Sequence, residues 1–187
     1  MTIFAAVCAF WVLSEIVIAM RRRAAVTGAE RRDRFSIVIF WLAYAFGPFF
    51  GAMLRNVRAT RMAPPLQRYA FWGGLLLIVI GIAIRWIAIA TLKRYFTVDV
   101  AIASDHKVIQ HGIYGIVRHP SYSGSLLSSL GLGLAFLNWL SFAVVVTLAV
   151  AAITYRIRVE EAALVGALGD AYRAYAARTK RLLPGVF

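Results

Sequence analysis

The stretch HGIYGIVRHPSYSG, residues 111–124, sets Arg118, His119 and Pro120 side by side just ahead of an apolar run. Proline lacks an N–H and presets φ, so Pro120 suits the first position of a helix. The free N–H groups of that first turn, together with the helix dipole, favour an anion. Arg118 and His119 add donors beside them, and Gly112, Gly115 and Gly124 permit close backbone approach. A second stretch, YRIRVEEAALVGALGDAYRAY, residues 155–175, places Arg156 and Glu160 four apart, on one helix face, with Glu161 next to them. His119 and Glu160 have the chemistry of a general base. Arg156 has the planar fork that grips a carboxylate through two parallel donors. Each stretch alone is common: many helices begin with proline, and an Arg–Glu pair at this spacing is ordinary helix support.

Other chemistries have little to work with. Cys8 is the one cysteine, so neither an intrachain disulfide nor a thiolate metal cluster is expected. His106, His111 and His119 form no His-x-x-x-His pair, and no metal site is expected.

The elements that must position these residues are apolar. Hydrophobic residues make up 61% of the 187, against roughly 45–50% in soluble domains. Five apolar runs stand out, at residues 3–20, 35–54, 69–92, 121–137 and 140–156. A spanning helix needs about 20 residues, with about 17 as the short end. The last two runs, separated by Asn138 and Trp139, read as a tight helical hairpin with Asn138 at its tip. The first arginine cluster follows the first run instead of preceding it, which marks a retained helix and not a signal peptide. The net charge of +13 lies in clusters between the runs. With no aromatic RNA platform and no helix-turn-helix pattern, it reads as a topology signal and not as nucleic-acid binding. Six arginines in residues 21–34, four basic residues between the third and fourth runs and six in the tail would share one side. Arg55, Arg58, Arg61 and Arg68 would face the other, placing the N-terminus outside and the tail inside.

Glu15 and Arg85 fall inside runs at matched depth. Intramembrane charges are costly and usually paired, so the two are expected to pair or to snorkel. In the fourth run Ser121, Ser125, Ser129 and Gly133 recur every four residues, a small-residue ridge suited to close helix packing in lipid. Ile157, Leu164, Leu168 and Tyr172 form a stripe expected on an amphipathic helix at the membrane surface.

Together the two stretches are far more specific than either alone. Gly112, Tyr114, Arg118, His119, Pro120, Tyr122 and Gly124, then a hairpin, then Arg156, Glu160, Glu161, Gly169, Tyr172 and Tyr175, resemble the isoprenylcysteine carboxyl methyltransferase family. The resemblance is strong over about the last 80 residues and rests on span pattern over the first 95. The family often has Phe before the glycine of the last motif, where this chain has Leu168. The resemblance implies an integral membrane methyltransferase using S-adenosylmethionine. It implies a cofactor pocket from His111, Tyr114, Arg118, His119, Pro120, Tyr122, Gly124, Glu160 and Glu161, with Arg156 and Glu160 catalytic and Arg156 near the methyl acceptor.

The expected architecture is all-α and integral to the membrane: five transmembrane helices, a cytoplasmic cofactor-binding segment and a C-terminal amphipathic helix. One domain, 1–187, would comprise a three-helix part, 1–92, and a cofactor-binding and catalytic part, 93–187. The expected partners are the membrane and a lipid or lipidated small-molecule acceptor, with carboxyl O-methylation of a prenylcysteine-like substrate as the leading reading. Rival readings are a phospholipid N-methyltransferase, O- or S-methylation of another small hydrophobic molecule, and a non-catalytic membrane scaffold or transporter. Short length and arginine usage point to a prokaryotic cytoplasmic membrane.

Overall fold

The apolar runs become helices in the computed structural model, which describes residues 2–23, 30–33, 35–93, 96, 100–102 and 107–184. These helices are α1 (Thr2–Arg23), α2 (Phe35–Leu54), α3 (Pro64–Leu92), α4 (Pro120–Ala135) and α5 (Trp139–Arg178). Helices α2, α3 and α5 are long and apolar enough to cross a membrane. Helix α1 is apolar over Thr2–Ile18, and α4 has 16 residues. The expectation of helix throughout needs one amendment. Two connections pair as a short antiparallel ribbon, β1 (Glu30–Asp33) with β2 (Val100–Ile102), through Glu30↔Ile102 and Arg31↔Ala101.

Helices α3 and α4 form the closest seam. Gly74 and Gly81 on α3 meet Gly131 and Gly124 on α4, and each pair sits two turns from the other. A Cβ on Gly81 would lie 2.5 Å from the Gly124 carbonyl oxygen, and a Cβ on Gly124 2.5 Å from that of Gly81. The Gly74–Gly131 pair repeats this at 2.5 and 2.4 Å. Backbones this close leave no volume for any side chain, the packing device of helices in lipid. The expected ridge is therefore split between two jobs. Ser121 and Ser125 accept hydrogen bonds from Arg85 Nη1 at 2.8 and 3.1 Å, while Gly133 packs on Phe142 of α5.

Arg85 and Glu15 do pair. Arg85 Nη2 donates to Glu15 Oε2 at 2.8 Å, Nε lies 2.6 Å from Oε1, and both residues are buried. One guanidinium thus ties α1, α3 and α4 together.

The hairpin turn is as expected in position but not in environment. Asn138 is fully buried. Its Oδ1 caps α5 by accepting from the Leu140 and Ser141 N–H groups. The preceding Leu137 has φ 59°, which ends α4 in the left-handed region without a glycine. Helix α5 does not stop at Arg156. It runs for 40 residues, broken in conformation at Gly169 (φ 53°, ψ −127°), where nothing crowds the missing Cβ. Glycine is needed there for its backbone freedom alone. The amphipathic stripe expected at Ile157, Leu164, Leu168 and Tyr172 is thus carried on α5 itself, and the break turns residues 170–178 back onto the protein. Tyr172 and Tyr175 are buried, and Tyr175 OH donates to the Tyr114 carbonyl at 2.7 Å.

Candidate active site

Pro120 is the first residue of α4, as its chemistry requires, with His119 as the residue before it. The anion-attracting start of this helix is shared with the chain's own tail. The Arg118 and His119 N–H groups donate to the carbonyls of Lys180 and Arg181 at 2.8 and 3.0 Å. Ser123 Oγ donates to the Leu182 carbonyl at 2.7 Å. Leu182 is buried against Phe40, Ile153 and Ile157, which anchors the tail there.

Three cationic or protonatable side chains converge on Glu161. Arg118 Nε donates to Oε1 at 3.0 Å, Arg181 donates to Oε2 from Nη2 at 2.8 Å, and His119 Nε2 stands 3.3 Å from Oε1. Arg118 Nη1 also donates to the Ala176 carbonyl at 2.9 Å and to that of Thr179. Glu161 lies in the charged part of α5 beyond its apolar stretch. Burial pushes its carboxyl up, but the hydrogen bonds from His119, Arg181 and Arg118 outweigh that and hold it well below the usual range. The bond to Glu161 in turn raises Arg181. Glu161 is thus committed to holding α5, the start of α4 and the tail together.

Glu160 is placed differently. Its side chain is 31% exposed against 14% for Glu161. It accepts from Tyr122 OH at 2.8 Å through Oε2, while His119 Nδ1 lies 4.0 Å from the same atom. Among the described residues no hydrogen bond reaches its Oε1, so acceptor capacity is left over. Tyr122 OH in turn accepts from Arg156 Nε at 3.2 Å, and Arg156 Nη1 donates to Ser36 Oγ on α2 at 2.6 Å. The result is a line of contacts, Ser36–Arg156–Tyr122–Glu160, with Arg156 only 3% exposed. The helix spacing of Arg156 and Glu160 puts them on one face, and Tyr122 stands between them. Glu160 lies 21 residues along α5 from Trp139, about 32 Å at 1.5 Å per residue, close to the roughly 30 Å of a bilayer's hydrocarbon.

The structure therefore brings Arg118, His119, Pro120, Tyr122, Arg156, Glu160 and Glu161 together. Tyr114 is buried beside them through its carbonyl contact to Tyr175. His111 is exposed, at the residue before the short 3-10 helix Gly112–Gly115. Gly124 faces α3 across the glycine seam. Sequence reasoning missed Ser36, a lone serine in an apolar run, and the tail residues Lys180, Arg181 and Leu182. Arg181 carried a signal only in being basic.

The model of the isoprenylcysteine carboxyl methyltransferase family matches residues 74–166, from the glycine seam to just past Glu161. A probable protein-S-isoprenylcysteine O-methyltransferase of Oryza sativa subsp. indica is 32% identical over 189 residues, covering 97% of this chain and 94% of the relative. This chain belongs to the isoprenylcysteine carboxyl methyltransferase family. It is a membrane-integral methyltransferase. The protein-S-isoprenylcysteine O-methyltransferase B of Arabidopsis thaliana is 40% identical over 185 residues, with 95% and 89% of the two chains covered. Among solved structures, the eukaryotic intramembrane Ras methyltransferase of the isoprenylcysteine carboxyl methyltransferase family is similar with a TM-score of 0.58 and 25% identity. That match covers 81% of this chain and 52% of the other. The family model ends before Gly169, yet Tyr175 is packed on Tyr114 and the tail is paired with the start of α4.

Proposed function

We propose that this protein methylates the carboxylate of a prenylcysteine-like acceptor, with S-adenosylmethionine as methyl donor. The observation that carries the reading is the contrast between an open carboxylate, Glu160, and a buried guanidinium, Arg156, joined through Tyr122. The residues fit such a donor: the free acceptor capacity of Glu160 suits its amino, hydroxyl and cationic groups. Glu160, His119 and Tyr122 would hold it, and Arg118, Pro120, Tyr114 and Glu161 would hold their backbone. His111 and Gly124 enter only by motif position. When bound, the donor supplies an electrophilic methyl group on a sulfonium centre, set for in-line displacement.

The chain's own work is alignment and environment. An acceptor carboxylate is already ionised at neutral pH, so no residue needs to remove a proton from it. Arg156 would orient it, with Ser36 and Tyr122 fixing the guanidinium plane. Phe40, packed on Tyr122 at 6.1 Å between ring centroids, keeps the approach from α2 apolar. The relatives named for protein-S-isoprenylcysteine O-methylation favour this acceptor over a phospholipid amine.

The same reading makes residues 1–187 one domain with five spans, α1 to α4 and the apolar part of α5, the N-terminus outside and the site cytoplasmic. The arginine bias and the roughly 32 Å between Trp139 and Glu160 support it. The relatives reported above are eukaryotic, so a prokaryotic membrane rests on chain length and arginine usage alone.

One assay tests the reading. Vesicles containing the protein, cytoplasmic face outward, receive methyl-labelled donor and an N-acylated S-prenylcysteine. Label should appear as an alkali-labile ester, and vesicles of opposite orientation should be inactive. Arg156→Lys should bind the donor nearly as wild type and turn over at least about tenfold more slowly, roughly 1.4 kcal/mol on the barrier, because an ammonium lacks the planar fork. Label confined to alkali-stable lipid, or full turnover in the lysine variant, would overturn the assignment.

A further inference from the structure

At the end of the bundle opposite the site, the α2–α3 connection and the second turn of α3 carry four exposed arginines, Arg55, Arg58 and Arg61 in the connection and Arg68 on α3. The methyltransferase reading gives them no role, and they run against the usual charge bias of membrane proteins. No acidic residue occurs in the sequence between Asp33 and Asp99, or between Asp105 and Glu160. Among the described residues none of the four arginines is in an ion pair. This end of the molecule is therefore positive and uncompensated.

The segment is also held in one shape. Buried Asn138 donates from Nδ2 to the Val57 carbonyl at 2.9 Å and to that of Arg55 at 3.4 Å. It accepts from Thr60 Oγ1 at 3.0 Å. The Met62 N–H donates to the Leu137 carbonyl at 3.0 Å, and Gln67 Nε2 to the Met62 carbonyl at 2.8 Å. Met62 is itself buried. The arginines thus project from a fixed backbone, which lowers the ordering cost of binding.

Around them lies a belt of exposed aromatics: Tyr69 is 76% exposed, Trp72 53% and Trp139 49%. Tyrosine and tryptophan gather where a bilayer's hydrocarbon meets its headgroups. The belt therefore places the arginines at the depth of the lipid phosphates. All four basic residues are arginine and none lysine, the choice that favours a bidentate grip on phosphate.

We propose that Arg55, Arg58, Arg61 and Arg68 form a binding surface for the phosphate headgroups of anionic phospholipids in the leaflet at this end. The contact anchors the bundle at a fixed depth and is separate from the methylation site.

The test compares wild type with R55Q/R58Q/R61Q/R68Q in nanodiscs of phosphatidylcholine, with and without phosphatidylglycerol. Both proteins should melt alike in phosphatidylcholine, since all four side chains are exposed. Phosphatidylglycerol should raise the wild-type melting temperature, and the variant should lose at least half of that rise. Native mass spectrometry should show phosphatidylglycerol held at least about tenfold less tightly by the variant, since each surface arginine contributes about fivefold. If the variant melts lower even in phosphatidylcholine, the mass-spectrometric comparison decides between the two. Equal retention of phosphatidylglycerol by both proteins would overturn the proposal. So would an equal stabilisation of wild type by inorganic phosphate in phosphatidylcholine discs, which would assign the site to a free anion.

Discussion

Helix α4 is held on one side by the glycine seam with α3 and on the other by the charges around Glu161. At the seam, two pairs of glycines bring carbonyl oxygens to within about 2.5 Å of where a Cβ would be. Nothing in that contact is charged, and nothing in it can yield. Around Glu161, Arg118, Arg181 and His119 share one carboxylate, so the loss of one leaves two. The seam is specified by missing atoms and tolerates no additions. The Glu161 cluster is specified by surplus partners and tolerates subtractions. The seam fixes where α4 stands in the bundle, while the cluster sets how its first turn meets α5 and the tail.

The pair of Glu15 and Arg85 is the charged exception beside the seam, and it should give the largest effect. Arg85→Leu leaves the buried Glu15 carboxylate unpaired and strips Ser121 and Ser125 of their donor. About 3–5 kcal/mol of stability should be lost, and Glu15→Gln alone should cost a similar amount. The double variant should be less damaged than the sum. Thermal melts of the four proteins in one detergent give the coupling directly, and simple additivity would mean the pair does not act as a unit.

Next comes Gly124→Ala. One methyl group would have to part α3 from α4, at a cost of about 1–3 kcal/mol. Gly73→Ala, at a helix position with open space around it, should be neutral or slightly stabilising. Equal melting of the two alanine variants would show that the seam is looser than drawn.

The smallest effect belongs to Glu161→Gln. Its folded-state carboxyl is held below the ordinary value of 4.5, so its contribution is complete above that pH and fades as pH falls toward the folded value. The variant should melt a few degrees lower at about pH 7, and the gap should narrow by about pH 3.5. A gap that stays constant over that range would mean the carboxylate's charge is not what binds the cluster. The Gly124→Ala deficit, by contrast, should not depend on pH.

Much of this was legible from local pattern. Pro120 announced the start of α4, and matched depth in the first and third apolar runs made a meeting of Glu15 and Arg85 one of two expectations, the other being snorkelling. The motif pointed to Arg118, His119, Pro120, Tyr122, Arg156 and Glu161, which gather near Glu160, and also to His111 and Gly124, which do not. What stayed hidden depends on distance along the chain. Ser36 is one serine in an apolar run until Arg156, 120 positions later, donates to it. The glycine seam repeats every seven residues on two helices, and neither repeat means anything until the helices are laid together. The tail from Lys180 to Leu182 pairs with the start of α4 through backbone groups, which every residue has and no composition reveals. The break in α5 at Gly169 was concealed because the residues around it keep a helical pattern, and a glycine in such a pattern does not by itself announce a break.

The tail contact also sets an order of events during synthesis. Ser123 and the Leu182 carbonyl it binds are 59 residues apart, so the first turn of α4 leaves the ribosome well before the tail that completes it. Until then Arg181 is absent from Glu161, and the start of α4 lacks the backbone acceptors that fix His119. A nascent chain that ends before Lys180 therefore lacks the contacts that hold the first turn of α4 against the tail. Its ability to bind donor should begin only after translation has passed Leu182, and chains cut before that residue should bind donor more weakly than the full chain.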